Sequence, residues 1–492
     1  MNHLYPLIVN LILCLQVVAQ KPDTLVRNAM IRRLDSLQTS LFLEHGTVSA
    51  CIKSTKTGLS ILAYQHRKAM PPASTMKLIT TATVMSVLNE NYSYVTLLQT
   101  DGIIRNDSLL GNVWIKGSGD PSLGSGRFKD SPDLNDLLKI WVAALRKKGI
   151  RHISGSVIGD ASVFDENTVP DGWVWEDVGN YYGAGVSGLN VNENIYRVYF
   201  LPANNLYEIA GVARVIPELS GVAMVNRVLM DEAGTGDQVT IYSSPFGNQI
   251  LLDGYIPRGR SEFPVKGAIP NPATFAAQQL RNAIIQADIS IGGGAYSSFE
   301  FIRKGKITFP SDTLLAVQSP VLKDLVAECN YQSINLYAEA FLRTIAVAKK
   351  YGNTTKAGIN ALTQFWKSKN LDLSGFKIKD GSGLSPQSVL TTDNMTDILT
   401  MASREPSFQA FYATIPVLGR DGTVKNLGKG TKAAGNVRAK SGSIGGVRTY
   451  AGYFTSKSGE QYSFAFFFEH YDSDFGSATK ELEKLMVSMV NL

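Results

Sequence analysis

Pro71-Pro72-Ala73-Ser74-Thr75-Met76-Lys77 is the stretch on which the reading of the fold turns. The two prolines stop any preceding element, and the chain then runs without Gly or Pro to Asn89 through Met76, Ile79, Thr80, Ala82, Val84 and Val87. That run predicts a buried helix starting at or near Ser74. On a helix, positions i and i+3 share a face with Cβ atoms about 5 to 6 Å apart, so Lys77 reaches the Ser74 hydroxyl. A serine hydroxyl is a poor nucleophile at neutral pH and needs a base to take its proton. A lysine in a dry site beside a second cation can lose its own proton and serve as that base. The helix start also points free amides and partial positive charge at Ser74, which suits an anionic intermediate.

Upstream, Val48, Ala50 and Ile52 alternate with polar residues, Lys56-Thr57-Gly58 interrupts, and Leu59, Ile61 and Ala63 resume the alternation, a β-hairpin pattern. From about 95 to 305 the texture changes to Gly- and Asn-rich sequence with short strand candidates such as Val113-Trp114-Ile115. One helix is expected there, opened by Ser131-Pro132, striped by Leu134, Leu137, Leu138, Trp141 and Leu145, and ended by Gly149. Helices return after about 310, one started by Ser319-Pro320 and a second running from about 333 to 350. Residues 448–455 and 462–469 form a last hairpin. Ser477 begins a final amphipathic helix whose Leu482, Leu485, Met486 and Met489 are read as core packing rather than a membrane foot. The expected fold class is α+β: an antiparallel sheet flanked by helices, interrupted by a large β-rich insertion. Residues 20–95 and 306–492 would form the discontinuous main domain, and 96–305 one or two accessory domains.

The chain has 492 residues, 44% hydrophobic and 18% charged, the composition of a folded protein rather than a disordered one. Its net charge of +6 comes from scattered Lys and Arg, which excludes a nucleic-acid-binding face in favour of an ordinary solvated surface. The apolar run from Leu7 to Val18, closed by Ala19, is read as a signal peptide over 1–19, although no Lys or Arg precedes it. About 12 apolar residues are too few to span a bilayer comfortably, and no later stretch reaches 18. The expectation is therefore an exported protein, periplasmic or envelope-associated, without a stable transmembrane anchor. Cys14 would leave with the signal, while Cys51 and Cys329 are read as buried thiols rather than a disulfide.

Three motifs follow one another: Ser74-Thr75-Met76-Lys77, Ser333-Ile334-Asn335 and Lys440-Ser441-Gly442. They form the S-x-x-K, S-x-N, K-[ST]-G set of penicillin-recognising serine enzymes. Ser333 offers a hydroxyl for proton relay and Asn335 an amide to hold a substrate backbone. Lys440, Ser441 and Ser443 at the start of an edge strand would bind a carboxylate and align a peptide along that strand. Each motif alone is weak. Ser374-Gly375-Phe376-Lys377 and Ser477-Ala478-Thr479-Lys480 also fit the first pattern, and Lys56-Thr57-Gly58 and Lys457-Ser458-Gly459 fit the third at hairpin turns. Ser477 reads as a helix N-cap, Ser374 precedes Gly375, a poor helix opening, and Ser368-Lys369-Asn370, a rival second motif, closes a helix. Only the set headed by Ser74 is complete and in order. Five histidines, His3, His45, His66, His152 and His470, form no H-E-x-x-H pair, and no G-x-S-x-G elbow occurs. The chemistry read here requires no metal and no cofactor.

With Gly117-Ser118-Gly119-Asp120-Pro121-Ser122-Leu123, the segment from Gly185 to Asn194, Asp380-Gly381-Ser382-Gly383-Leu384-Ser385 and Gly419-Arg420-Asp421-Gly422-Thr423, the chain resembles the D-alanyl-D-alanine carboxypeptidase/endopeptidases, the class C low-molecular-weight penicillin-binding proteins. The resemblance covers most of the chain. That family separates its first two motifs by a large insertion, and here Ser74 and Ser333 stand 259 positions apart (333 − 74). It implies Ser74 as acylated nucleophile, Lys77 as its base, Ser333 and Asn335 as proton-transfer and substrate-holding groups, and Lys440, Ser441, Gly442 and Ser443 as the carboxylate-binding strand. The amides of Ser74 and Ser443 would form an oxyanion hole. The implied substrates are peptidoglycan stem peptides ending in D-Ala-D-Ala, with β-lactams as inhibitors; homodimerisation stays open. Ile334 stands where the family usually has Asp, Ser441 and Ser443 replace threonines, and Pro386 takes the place of an Arg that in many relatives reads the stem-peptide side chain. A β-lactamase or esterase on the same core, and a catalytically weak wall-binding or β-lactam-sensing protein, are the alternative readings.

Overall fold

Long apolar runs at the two ends of the chain meet in one antiparallel sheet. The computed structural model describes residues 23–306, 309–310 and 312–492, so the signal peptide expected over 1–19 lies outside the described residues. Strands β1 (Thr47–Ser54), β2 (Ser60–Tyr64), β3 (Arg438–Ile444), β4 (Val447–Thr455) and β5 (Gln461–Glu469) lie in the order β2-β1-β5-β4-β3. The register sets Ala50 opposite Phe466, Phe466 opposite Tyr450 and Tyr450 opposite Ser441. Both hairpins read from the sequence are present. β3 closes one side of the sheet; at its start the segment at 416–418 pairs alongside it, the Ala439 amide donating to the Pro416 carbonyl at 2.9 Å, and the strand runs on beyond that contact to Ile444.

Both faces of the sheet are covered, which is why β5 reads as unbroken Tyr462-Ser463-Phe464-Ala465-Phe466-Phe467-Phe468 rather than alternating with polar residues. Phe464, Phe466 and Phe468 pack with Met30, Leu34, Leu482, Leu485, Met486 and Met489 from the terminal helices α1 (Thr24–Gln38) and α6 (Phe475–Met489). Ala465 and Phe467 face the other way, onto α2 (Met76–Leu88), α3 (Leu322–Gln332), α4 (Asn335–Ala348) and α5 (Thr392–Ala402). Helix α2 is buried from Met76 through Met85, all around its circumference, as a central helix must be. Cys51 and Cys329 are free and buried. Among the described residues no helix is long and apolar enough to cross a membrane.

Between α2 and α3 the chain builds further sheets. One runs Ala295–Ser297, Val157–Asp160, Val113–Lys116, Val95–Thr100 and Asp312–Gln318, and two three-stranded sheets occupy residues 195–268. They share a second apolar core that includes Trp141, Tyr196, Val228, Ile250 and Leu280.

Several helix starts differ from the sequence reading. The helix expected from Ser131 begins at Leu134, because the Asp133 carboxylate accepts from the Asp136 amide at 2.9 Å. The last helix is capped by Asp474, which accepts from both the amide and the hydroxyl of Ser477, so Ser477 lies inside the first turn. An aspartate caps as well as a serine, and its charge complements the helix dipole. The helix after Ser319-Pro320 starts at Leu322. The middle region also holds a second long helix, Pro272–Gln286, capped by Asn271. Its alanines and glutamines give little contrast between faces, and the stripe is hard to see in sequence.

Candidate active site

Ser74 sits in a single 3₁₀ turn, Ala73–Thr75, that feeds α2. Ala73 takes a φ of +45° there. The turn is held from both sides. The Pro72 carbonyl accepts from the Thr75 hydroxyl at 2.6 Å and from the Thr449 hydroxyl on β4 at 2.8 Å. Gly383, with φ +75°, lies so close that an added Cβ would stand 1.9 Å from the Ala73 carbonyl oxygen. One turn along α2, Lys77 Nζ lies 2.9 Å from Ser74 Oγ, 2.6 Å from Asn335 Oδ1 and 2.9 Å from the Ser382 carbonyl oxygen. Three acceptors match the three hydrogens of an ammonium group.

The second motif is a break between two helices. Ser333 ends α3 in the left-handed conformation (φ 60°, ψ 41°), and Ile334 precedes α4. The break sends neighbouring side chains to different lysines: Ser333 Oγ accepts from Lys440 Nζ at 2.9 Å, and Asn335 accepts from Lys77. Asn335 Nδ2 donates to the Tyr182 carbonyl at 2.7 Å, tying the motif to the region between the first two motifs. Ile334 packs on the core and lines the cleft.

The third motif lies on the edge strand. Lys440 also donates to the Ser441 carbonyl at 2.8 Å, and Ser441 Oγ shares a 2.7 Å hydrogen bond with Thr423 Oγ1. At Gly442 a Cβ would stand 2.2 Å from Thr449 Oγ1, 2.8 Å from the Pro72 carbonyl and 2.9 Å from the Ser74 amide nitrogen. Only glycine lets β3 pass against the Ser74 backbone. Ser443, one residue on, lines a cleft of about 880 Å³ together with Ser74, Ser333 and Asn335. Ser74, Lys77, Ser333, Asn335 and the strand carrying Lys440 to Ser443, residues from three distant segments, are thus brought to one place.

Lys77 and Lys440 are both 0% exposed. Burial lowers the Lys77 pKa to about 8, against smaller upward pulls from Cys329, Asp380 and Glu339. Burial also pushes Lys440 well below its ordinary value, and the charges of Lys77 and Arg448 push it further. Burial raises the Cys329 thiol to about 12.

None of the competing motif copies lines the cleft. Ser374 is bound to Asp372, Gly58 and Gly459 sit in turns with positive φ, and Lys369 pairs with Glu405 at 2.7 Å. Several working neighbours were not singled out from sequence. Ser382 and Thr423 lie in segments quoted above, and Glu339 follows Asn335 by one helical turn, a readable spacing. Thr449 has no local signal, since only strand pairing brings it to Pro72.

The sequence matches the D-Ala-D-Ala carboxypeptidase 3 (S13) family over residues 32–490. It is similar to the D-alanyl-D-alanine carboxypeptidase of Actinomadura sp. (strain R39), 26% identical over 447 residues, covering 87% of this chain and 78% of that protein. It is also similar to the D-alanyl-D-alanine carboxypeptidase DacB of Haemophilus influenzae, 25% identical over 450 residues, covering 89% and 88%. The fold is similar to the crystal structure of penicillin binding protein 4 from Haemophilus influenzae, with a TM-score of 0.78 at 23% identity over 93% of this chain and 97% of that one; the same protein has been solved with a β-lactam. The α+β penicillin-binding fold expected from the motifs is the fold observed.

Proposed function

The chain belongs to the D-Ala-D-Ala carboxypeptidase 3 (S13) family, and on that premise we propose that it cleaves D-alanyl-D-alanine ends of peptidoglycan stem peptides through an acyl-enzyme on Ser74. The contact that carries the reading is the 2.9 Å approach of buried Lys77 Nζ to Ser74 Oγ. Neutral Lys77 takes the hydroxyl proton as Ser74 Oγ attacks the carbonyl carbon of the penultimate D-alanine. The tetrahedral oxyanion is held by the amides of Ser74 and Ser443. The C–N bond then breaks, and the leaving D-alanine amine receives the proton that Lys77 took from Ser74, relayed through Ser333, which Lys440 holds in place, so that Lys77 is neutral again when water attacks the ester. Water enters, hydrolyses the ester and restores Ser74.

A crosslink presents the same acyl group with a longer amine, so we extend the proposal to D,D-endopeptidase action. A β-lactam would acylate the same serine by opening its ring, with no amine free to depart. The cations on the far lip are Arg127, held by Glu193 at 2.6 Å, and Lys266, which among the described residues forms no ion pair. Pro386 lines the cleft near them. We assign the region over 96–305 to reading the stem peptide rather than to chemistry, and place the protein outside the cytoplasm on the apolar run at 7–18.

Labelling with a fluorescent penicillin followed by peptide mass mapping tests the mechanism. Label on a peptide carrying Ser74 is expected; no label, or label on another serine, sinks it, and no label would favour the wall-binding alternative. Rapid release of hydrolysed antibiotic would favour the β-lactamase alternative. The carboxylate role has its own test. A charge-assisted hydrogen bond contributes about 1.5 to 3 kcal/mol, so Lys440→Ala should slow turnover of carboxylate-terminated D-alanyl peptides roughly tenfold or more beyond its effect on uncharged thioesters. Equal losses on the two substrates would remove that role.

A further inference from the structure

Glu339 is a buried acid next to the site that the reaction above does not use. It lies on α4 one turn beyond Asn335 and is 0% exposed. Its carboxylate accepts from the Gly381 amide, at 3.0 and 3.1 Å to its two oxygens, and from the Ser382 amide at 2.8 Å. Beside it, the Asp380 carboxylate accepts from the amides of Gly383 and Ser385 at 3.1 and 2.7 Å, from Ser388 Oγ at 3.1 Å and from Trp173 Nε1 at 2.9 Å. Glu339 thus holds the amides of residues 381 and 382, and Asp380 holds the Gly383 amide, the peptide unit whose carbonyl, Ser382 O, is one of the three acceptors around Lys77 Nζ.

Two of those acceptors, Asn335 Oδ1 and Ser382 O, are carbonyl oxygens that have no hydrogen to give. A neutral lysine has two N–H groups and one lone pair. When both carbonyls hold an N–H, the lone pair faces the remaining neighbour, Ser74 Oγ. We propose that Glu339 is a positioning residue for acyl transfer: by holding the two amides that lead into the Ser382 carbonyl it fixes where that carbonyl, the second anchor of neutral Lys77, stands, and so aims the base at Ser74. The inference rests on the reading of Lys77 as the base. A carboxylate buried beside a second one costs free energy, because burial and like charge both oppose the ionisation of Glu339; an arrangement of this kind needs a return, and orientation of Lys77 supplies one.

The charged and titratable groups facing Lys77 are Lys440 from β3, Cys329 from α3, Asp380 from its loop and Glu339 from α4. Those facing Glu339 include Asp380, Lys77 and, on its own helix, Arg343. Burial first, and the charge of Asp380 second, raise the Glu339 pKa above the usual carboxylate range. Its negative charge in turn favours protonated Lys77.

The test is the rate of acylation by fluorescent penicillin from about pH 5 to about pH 10, a span that brackets the neutral range, for wild type and Glu339→Gln. Glutamine keeps the size but turns an N–H group toward a backbone N–H. The variant should still label on Ser74, react roughly tenfold or more slowly, as small misplacements at a reacting centre do, and show its acid limb displaced to lower pH, since loss of a nearby negative charge favours neutral Lys77. In wild type, Glu339 and Lys77 must both lose a proton before the base is aimed, so the logarithm of the rate should approach a slope of two at the acid end. A variant within twofold of wild type, or one that slows with its limb unmoved, overturns the proposal. A wild-type slope of one throughout also overturns it, even if Glu339→Gln does not fold. Failure of wild type to label on Ser74 is a different result and would sink the acyl-enzyme reading itself.

Discussion

Lys77→Met is expected to slow acylation of Ser74 by roughly 10²- to 10⁴-fold, the usual contribution of a positioned general base, while the melting temperature stays within a few degrees of wild type. The activity loss follows because, among the described residues, Lys77 is the base that makes a hydrogen bond with Ser74 Oγ. The stability result balances two effects. Methionine removes an ammonium group whose burial is unfavourable, and it leaves Asn335 Oδ1 and the Ser382 carbonyl without their donor. The pH dependence separates the variant from wild type more sharply. Unfolded Lys77 binds its proton up to the ordinary lysine value, near 10.5, and folded Lys77 only up to about 8. Between those values the unfolded state holds more protons, so stability rises with pH. Below about 8 both states are protonated and the penalty of the buried charge is fully present. Wild type should therefore gain stability relative to Lys77→Met as the pH rises through this window, measured by denaturant unfolding at each pH. A variant that keeps a tenth or more of wild-type acylation would exclude Lys77 as the base.

Gly442→Ala is expected to lower acylation by roughly 10²- to 10³-fold, the scale of losing an oxyanion donor, and to destabilise the chain by about 1 to 3 kcal/mol, the scale of overpacking. The added carbon would overlap Thr449 Oγ1, the Pro72 carbonyl and the Ser74 amide. Thr449 can turn away, but the other two contacts are backbone. The strand must then retreat from the Ser74 turn and carry the Ser443 amide out of register with it. The double variant with Thr449→Ala removes the nearest overlap and should regain part of the lost stability without regaining acylation. Thermal melts and penicillin labelling read the two effects separately. Wild-type acylation in the single variant would show that β3 does not need this close approach.

Much of this site was legible because its chemistry is encoded in short spacings. A helix puts residues three apart on one face, so Ser74 and Lys77 could be paired from sequence. Motif order separated that pair from the copies at Ser374 and Ser477, whose side chains turn instead to Asp372 and Asp474. The hairpins were legible from alternation and turn residues. The caps at Asp133 and Asp474 were not, because serine and aspartate lie within a few residues of each other at both starts and either is acceptable there.

By itself the sequence determined the α+β class, the pairing of Ser74 with Lys77, and the three segments that must converge. The tertiary structure alone decided how they converge. The left-handed turn at Ser333 splits α3 from α4 and sends Ser333 to Lys440 and Asn335 to Lys77. The pairing of β3 with β4 puts Thr449 onto Pro72 and Gly442 against Ser74. Glu339 reaches the 381–382 peptide only because α4 packs beneath that loop. These contacts join residues from far apart in the chain, where no local spacing constrains the outcome. Burial, which sets the proton affinity of Lys77, is a property of the packed molecule and of no short stretch within it.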